Sequence, residues 1–83
     1  MMTEQDLQAT VNDTIRDVLD LDDDVAIGPA TTAKDVAGWD SLQHVRIMLS
    51  LERRFKFRWD ESEIAALKNV GDIYAAVARN IPA

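Results

Sequence analysis

The sequence predicts an all-α protein: a small four-helix bundle of three main helices and a short third helix, with a long loop between helices I and II. Three observations carry that expectation. Apolar residues recur at helical spacing in separate segments, and no segment alternates in the manner of a strand. Each segment opens on a Thr, Asp or Asn suited to capping a helix start. The stretch 21–40 has turn and breaker residues in place of a period. At 83 residues the chain makes one domain, 1–83, near the lower size at which a core can be buried without a cross-link.

Helix I is expected over about 3–20. Thr3 followed by Asp6 reads as a variant capping box, and Leu7, Val11, Ile15, Val18 and Leu19 form its stripe, with Asp13, Arg16 and Asp17 off it. The following loop contains Asp22-Asp23-Asp24, Gly28-Pro29 and Gly38, yet Val25, Ile27, Val36 and Trp39 are scattered through it. A loop with that apolar content is expected to be pinned across the core, with a short helical turn around 33–36.

Asp40 is an N-cap candidate for helix II, expected over about 41–57. Its apolar residues, Leu42, Val45, Ile47, Met48, Leu49, Leu51 and Phe55, cover more of the circumference than one core stripe needs. The expected inward set is Val45, Met48, Leu51 and Phe55, helped by Ile47. Leu42 and Leu49 are left near the surface as a candidate partner-facing patch. Asp60 with Glu63 opens a short helix over about 61–67 through Ile64 and Leu67. Asn69 with Asp72 opens the last helix, about 70–80, on Val70, Ile73, Tyr74, Val77 and Ile81, with Pro82 closing it.

The formal charge of −6 disfavours nonspecific binding to nucleic acid or anionic membranes. That charge is unevenly spread. Residues 41–58 carry Arg46, Arg53, Arg54, Lys56 and Arg58 against Glu52 alone, a local +4 that leaves −10 for the remainder. No apolar run approaches the roughly 20 residues needed to cross a bilayer, so membrane insertion is not expected. The polar, acidic start Met1-Met2-Thr3-Glu4-Gln5-Asp6 is unlike a secretory signal, and a cytoplasmic monomer is the expectation. The chain has no cysteine, which excludes disulfides and thiolate-bound zinc.

Ser41 follows Gly38-Trp39-Asp40 and begins a helix, where free amide groups and the dipole favour a phosphate. The bland reading is an ordinary pair of helix-starting residues. The run Gly38-Trp39-Asp40-Ser41-Leu42 resembles the attachment motif of the acyl carrier protein family, whose core is Asp-Ser-Leu. Leu51-Glu52-Arg53-Arg54-Phe55 is similar to the family's Leu-Glu-x-x-Phe, and Asn69-Val70-Gly71-Asp72-Ile73 resembles the stretch opening its last helix. The match covers nearly the whole chain.

That resemblance implies a specialised, free-standing carrier that does no chemistry itself. A phosphopantetheinyl transferase would move 4'-phosphopantetheine from coenzyme A to Ser41, and acyl cargo would ride as a thioester between acyl-loading and acyl-transfer enzymes. The bundle could partly shelter the chain. Asp40 would belong to the transferase recognition surface and Leu42 would lie beside the arm. The pathway would be a dedicated one making a lipid, a polyketide or a related product.

One departure from the family pattern concerns docking. Helix II of the usual fatty-acid carrier is acidic and docks against basic patches, whereas here Gln43, His44 and Arg46 occupy its first turns and its end is basic. Gln43, His44, Arg46, Leu49 and Arg53 are therefore the candidate partner-binding residues, of a sign that suits different enzymes. The alternative is a solvated charged face of no consequence.

Other motifs carry no function. His44 lies three residues after Ser41, but no nucleophile elbow, third orienting group or room for an oxyanion hole accompanies the pair, so catalysis is not expected. Asp20, Asp22 and Asp24 have the first spacings of a calcium loop, but Val25 stands at the glycine position and Thr31 at the glutamate position. Trp39 and Trp59 are expected to pack a loop or a helix end. Two alternatives stay open: a peptidyl or aminoacyl carrier using the same arm, against which Gly38-Trp39 leans, and an unmodified helical interaction module.

Overall fold

A computed structural model describes residues 2–81. Among them are four α-helices, α1 Glu4–Leu19, α2 Ser41–Phe55, α3 Glu61–Ala66 and α4 Val70–Asn80, and one 3-10 turn at Ala33–Asp35. Helix α1 packs against both α2 and α4. The core between them is built on Val11 and Ile15 of α1, Ile47 and Leu51 of α2, and Val70, Ile73 and Val77 of α4. The expected Pro82 terminator lies outside the described residues.

Local chemistry sets each helix start. Thr3 Oγ1 accepts the Asp6 amide at 3.1 Å while Asp6 Oδ2 accepts the Thr3 amide at 3.2 Å, closing a capping box. Asp40 Oδ1 accepts the Gln43 amide at 2.9 Å, and Asn69 Oδ1 accepts the Asp72 amide at 2.8 Å. Asp60 caps α3 by accepting from the Ser62 amide. Glu63 does not close a box there. Its carboxylate instead accepts from Asn80 Nδ2 at 2.9 Å and so ties α3 to α4.

Two expectations about α2 change. The helix ends at Phe55 and not at 57, because Lys56 takes a left-handed conformation with φ 59°. Phe57 and Trp59 then fold back along the helix. The Trp59 amide donates to Glu52 Oε2 and its indole to the Met48 carbonyl, and the two rings meet edge to face at 4.9 Å. The inward stripe is also turned. Ile47, Met48, Leu51 and Phe55 are buried, whereas Val45, expected inside, is 54% exposed. Ile47 and Val45 sit two positions apart and face opposite ways, so once α1 packs on Ile47, Val45 is excluded from the core. Helix α3 likewise stops at Ala66, one residue short, with Leu67 extended.

The long loop is pinned as expected, with Ile27 and Val36 buried in the core. Its backbone is held by polar groups of α1 that the sequence pattern leaves without a role. Arg16 donates from Nε and Nη2 to the Val25 carbonyl at 3.1 and 3.0 Å, and Asn12 Nδ2 donates to the Ile27 carbonyl. Asn12 also accepts the Tyr74 hydroxyl, joining loop, α1 and α4. Midway along the loop, the Gly71 and Val70 amides donate to the Pro29 and Thr31 carbonyls, both at 2.8 Å. These bonds satisfy loop carbonyls that burial would otherwise leave orphaned.

Candidate functional site

The loop delivers its last residues onto the start of α2. Gly38 adopts φ +86°, a conformation that side chains rarely take, and the turn it permits brings Trp39 back over the helix. Trp39 packs against the core and donates from its indole nitrogen to His44 Nδ1 at 3.1 Å, with the rings stacked at 6.0 Å. Asp40 is extended and its carboxylate is occupied by the cap. Ser41 is the first helical residue and is exposed.

That placement suits a phosphate ester. The amides of the first helical residues, Ser41 and Leu42, have no partner within the helix and carry the positive end of its dipole. A phosphodiester on the exposed Ser41 Oγ would stand at this helix start in water, with no charge buried. Beside the serine lies an open depression lined by Ala33, Trp39, Asp40, Ser41, His44 and Val45. Behind the Trp39–His44 pair is a cavity of about 40 Å³, bounded by Leu67, Lys68, Asn69 and Ile73. That is room for a few water molecules at most, too little for an acyl chain in this conformation.

The remaining candidate residues divide. Arg46, Leu49 and Arg53 are exposed, as is Leu42 at 61%. Gln43 and His44 are only half exposed. Burial lowers the His44 pKa below its ordinary value, which favours the neutral ring that accepts from Trp39. His44, expected as a surface contact, is thus part of the packing that holds the loop. Gln43 Oε1 is buried without a hydrogen-bond partner. Trp39 and Trp59 both pack as expected, and among the described residues no group of three or more His, Cys, Asp or Glu could hold a metal ion.

The fold agrees with what the chain matches. The family model for the phosphopantetheine attachment site matches residues 9–77, and the chain belongs to that family. The holo acyl carrier protein from Geobacter metallireducens, solved by solution NMR, superposes with a TM-score of 0.81 at 33% identity, over 88% of this chain and 83% of that one. A protein assigned as an acyl carrier protein from Mycobacterium tuberculosis superposes at 0.79 with 29% identity, over 88% and 96% of the two chains. No curated protein matches the chain. The chain is therefore a phosphopantetheine-bearing carrier protein and not an enzyme, which sets aside the unmodified interaction module.

Proposed function

We propose that this carrier holds acyl cargo on a 4'-phosphopantetheine arm attached to Ser41 and presents it to the enzymes of a dedicated lipid, polyketide or related pathway. The observation that carries this reading is the position of Ser41. It is the exposed first residue of α2, directly after the capping Asp40, inside the matched family segment. The phosphopantetheine group supplies a terminal thiol that holds the cargo as a thioester.

This chain's own residues do three things. Ser41 Oγ would lose its proton and displace adenosine 3',5'-bisphosphate from the pyrophosphate of coenzyme A on a phosphopantetheinyl transferase, so that the phosphopantetheinyl group ends as a phosphodiester on the serine. The free Ser41 and Leu42 amides would favour the negative phosphate at the helix start, and Asp40 fixes that start by capping Gln43. Leu42, exposed one residue along, offers an apolar contact beside the arm to whichever enzyme docks. A cytoplasmic location, where coenzyme A is at hand as donor, completes the reading.

The test is to charge the protein directly. Incubation with a labelled acyl-coenzyme A and a broad-specificity transferase is expected to attach label that neutral hydroxylamine releases, as it does a thioester. Ser41→Ala takes up none. An unlabelled wild type, or label retained in Ser41→Ala, would overturn the assignment.

A further inference from the structure

Among the described residues, three of the four exposed large hydrophobic side chains, Leu42, Val45 and Leu49, lie on α2. They are spaced three and four residues apart, so they share one face of the helix, and Arg46 and Arg53 continue that same row. The opposite face holds Ile47, Met48, Leu51 and Phe55 in the core. The row begins one residue after Ser41. Val45, which the periodicity alone placed inside, completes it.

The charged side chains that α2 places on this face are both basic, and the surrounding carboxylates are engaged by other partners. Glu52, the single acid of α2, is turned away and accepts the Trp59 amide at 2.8 Å. Asp17 of α1 is paired with Arg54 at 2.8 Å, and Asp13 with Arg16. Asp40 is occupied by the Gln43 amide. Arg46 and Arg53 have no carboxylate within ion-pair distance among the described residues, and with Leu49 they edge a groove between α1 and α2 that Val18, Ser50 and the Arg54-paired Asp17 also line. The nearest acids are thus engaged by other partners, while two arginines are left free beside three exposed aliphatic side chains. Outside residues 41–58 the chain carries −10, which repels acidic surfaces, so an acidic partner is favoured on the α2 side of the molecule.

We infer that Leu42, Val45, Arg46, Leu49 and Arg53 form a docking face for a protein partner whose surface is an apolar groove flanked by carboxylates. The inference rests on the carrier reading and adds the partner's chemistry to it. The aliphatic side chains fill the groove, and the two arginines fix the register and speed the encounter. An acid-flanked groove is the inverse of the basic surface that suits an acidic carrier helix. Enzymes are therefore sorted by charge before the arm is offered to them.

A charge-swap experiment tests this with a surrogate enzyme in place of the native partner. The holo-protein and its Arg46→Glu/Arg53→Glu variant are offered to an acyl-loading enzyme with a basic carrier-docking surface. Both are also offered to a form of that enzyme whose docking Lys and Arg residues are changed to Glu. The expected result is a crossed preference. The wild type is loaded at least tenfold faster, in kcat/KM, by the acidic enzyme form, the variant by the basic form, and both preferences shrink as salt rises. Preference of both proteins for the same enzyme form, equal rates, or no loading by the acidic form overturns the inference. So does cosedimentation of the wild type with phosphatidylserine vesicles that the variant loses, which would make the face a membrane contact. Intact mass confirms that each protein carries the arm beforehand, so failure of the carrier reading shows itself separately.

Discussion

Replacing Gly71 with alanine separates local helix preference from the long-range contact that holds the loop. Gly71 lies in the first turn of α4, where propensity alone favours alanine by at most about 1 kcal/mol. An added Cβ would stand 2.9 Å from the Pro29 carbonyl oxygen and 3.3 Å from both Pro29 Cβ and Asn69 Oδ1. The first of these is backbone and cannot swing aside. Relief requires the loop to retreat, yet that same carbonyl accepts the Gly71 amide at 2.8 Å, and the neighbouring Val70–Thr31 bond must move with it. Overpacking of this kind costs about 1–3 kcal/mol, and a weakened hydrogen bond adds about 1 kcal/mol. Set against the propensity gain, the expected net loss is about 1–3 kcal/mol. Urea denaturation followed by far-UV circular dichroism reads it directly, with Gly28→Ala as comparator because a methyl group there meets nothing within 4 Å. A Gly71→Ala protein as stable as the wild type, or more so, would refute the argument that the loop is clamped against α4.

Two further outcomes follow from the core and from the histidine. Phe55→Ala, at a side chain only 7% exposed, is expected to cost about 3–5 kcal/mol. A denaturation midpoint close to the wild type's would contradict the inward phase of α2. The lowered pKa of His44 means that the unfolded chain binds its proton more readily. Its contribution to stability is therefore fully present above the ordinary value of 6.5 and is lost as pH falls below that value towards the folded pKa. Protonation also removes the acceptor of the Trp39 indole. Trp39 fluorescence in a Trp59→Phe background is expected to titrate below pH 6.5 and to stop doing so in His44→Gln; an unchanged titration would rule out the pair.

How much was legible in the sequence depends on the range of the interaction. The starts of α1, α2 and α4 were readable because a capping side chain bonds an amide three residues away, as Thr3, Asp40 and Asn69 do. Ser41 opens α2, as read from the capping Asp40, for the same reason. The phase of α2 was not readable locally, since apolar residues surround the helix and only the position of α1 selects Ile47 over Val45. The roles of Asn12 and Arg16 were hidden because their partners are the carbonyls of Ile27 and Val25, which carry no side-chain signature. The pairing of Trp39 with His44 needed the turn at Gly38, whose direction the composition of the loop does not reveal.

The most direct measurement of the central claim is the intact mass of the protein after incubation with coenzyme A and a phosphopantetheinyl transferase, followed by peptide mapping of the modified residue. The account predicts the addition of one phosphopantetheinyl group, on Ser41, and none on Ser41→Ala. A wild type that stays unmodified, an alanine variant that still gains the group, or a group mapped to Ser50 or Ser62 would contradict it.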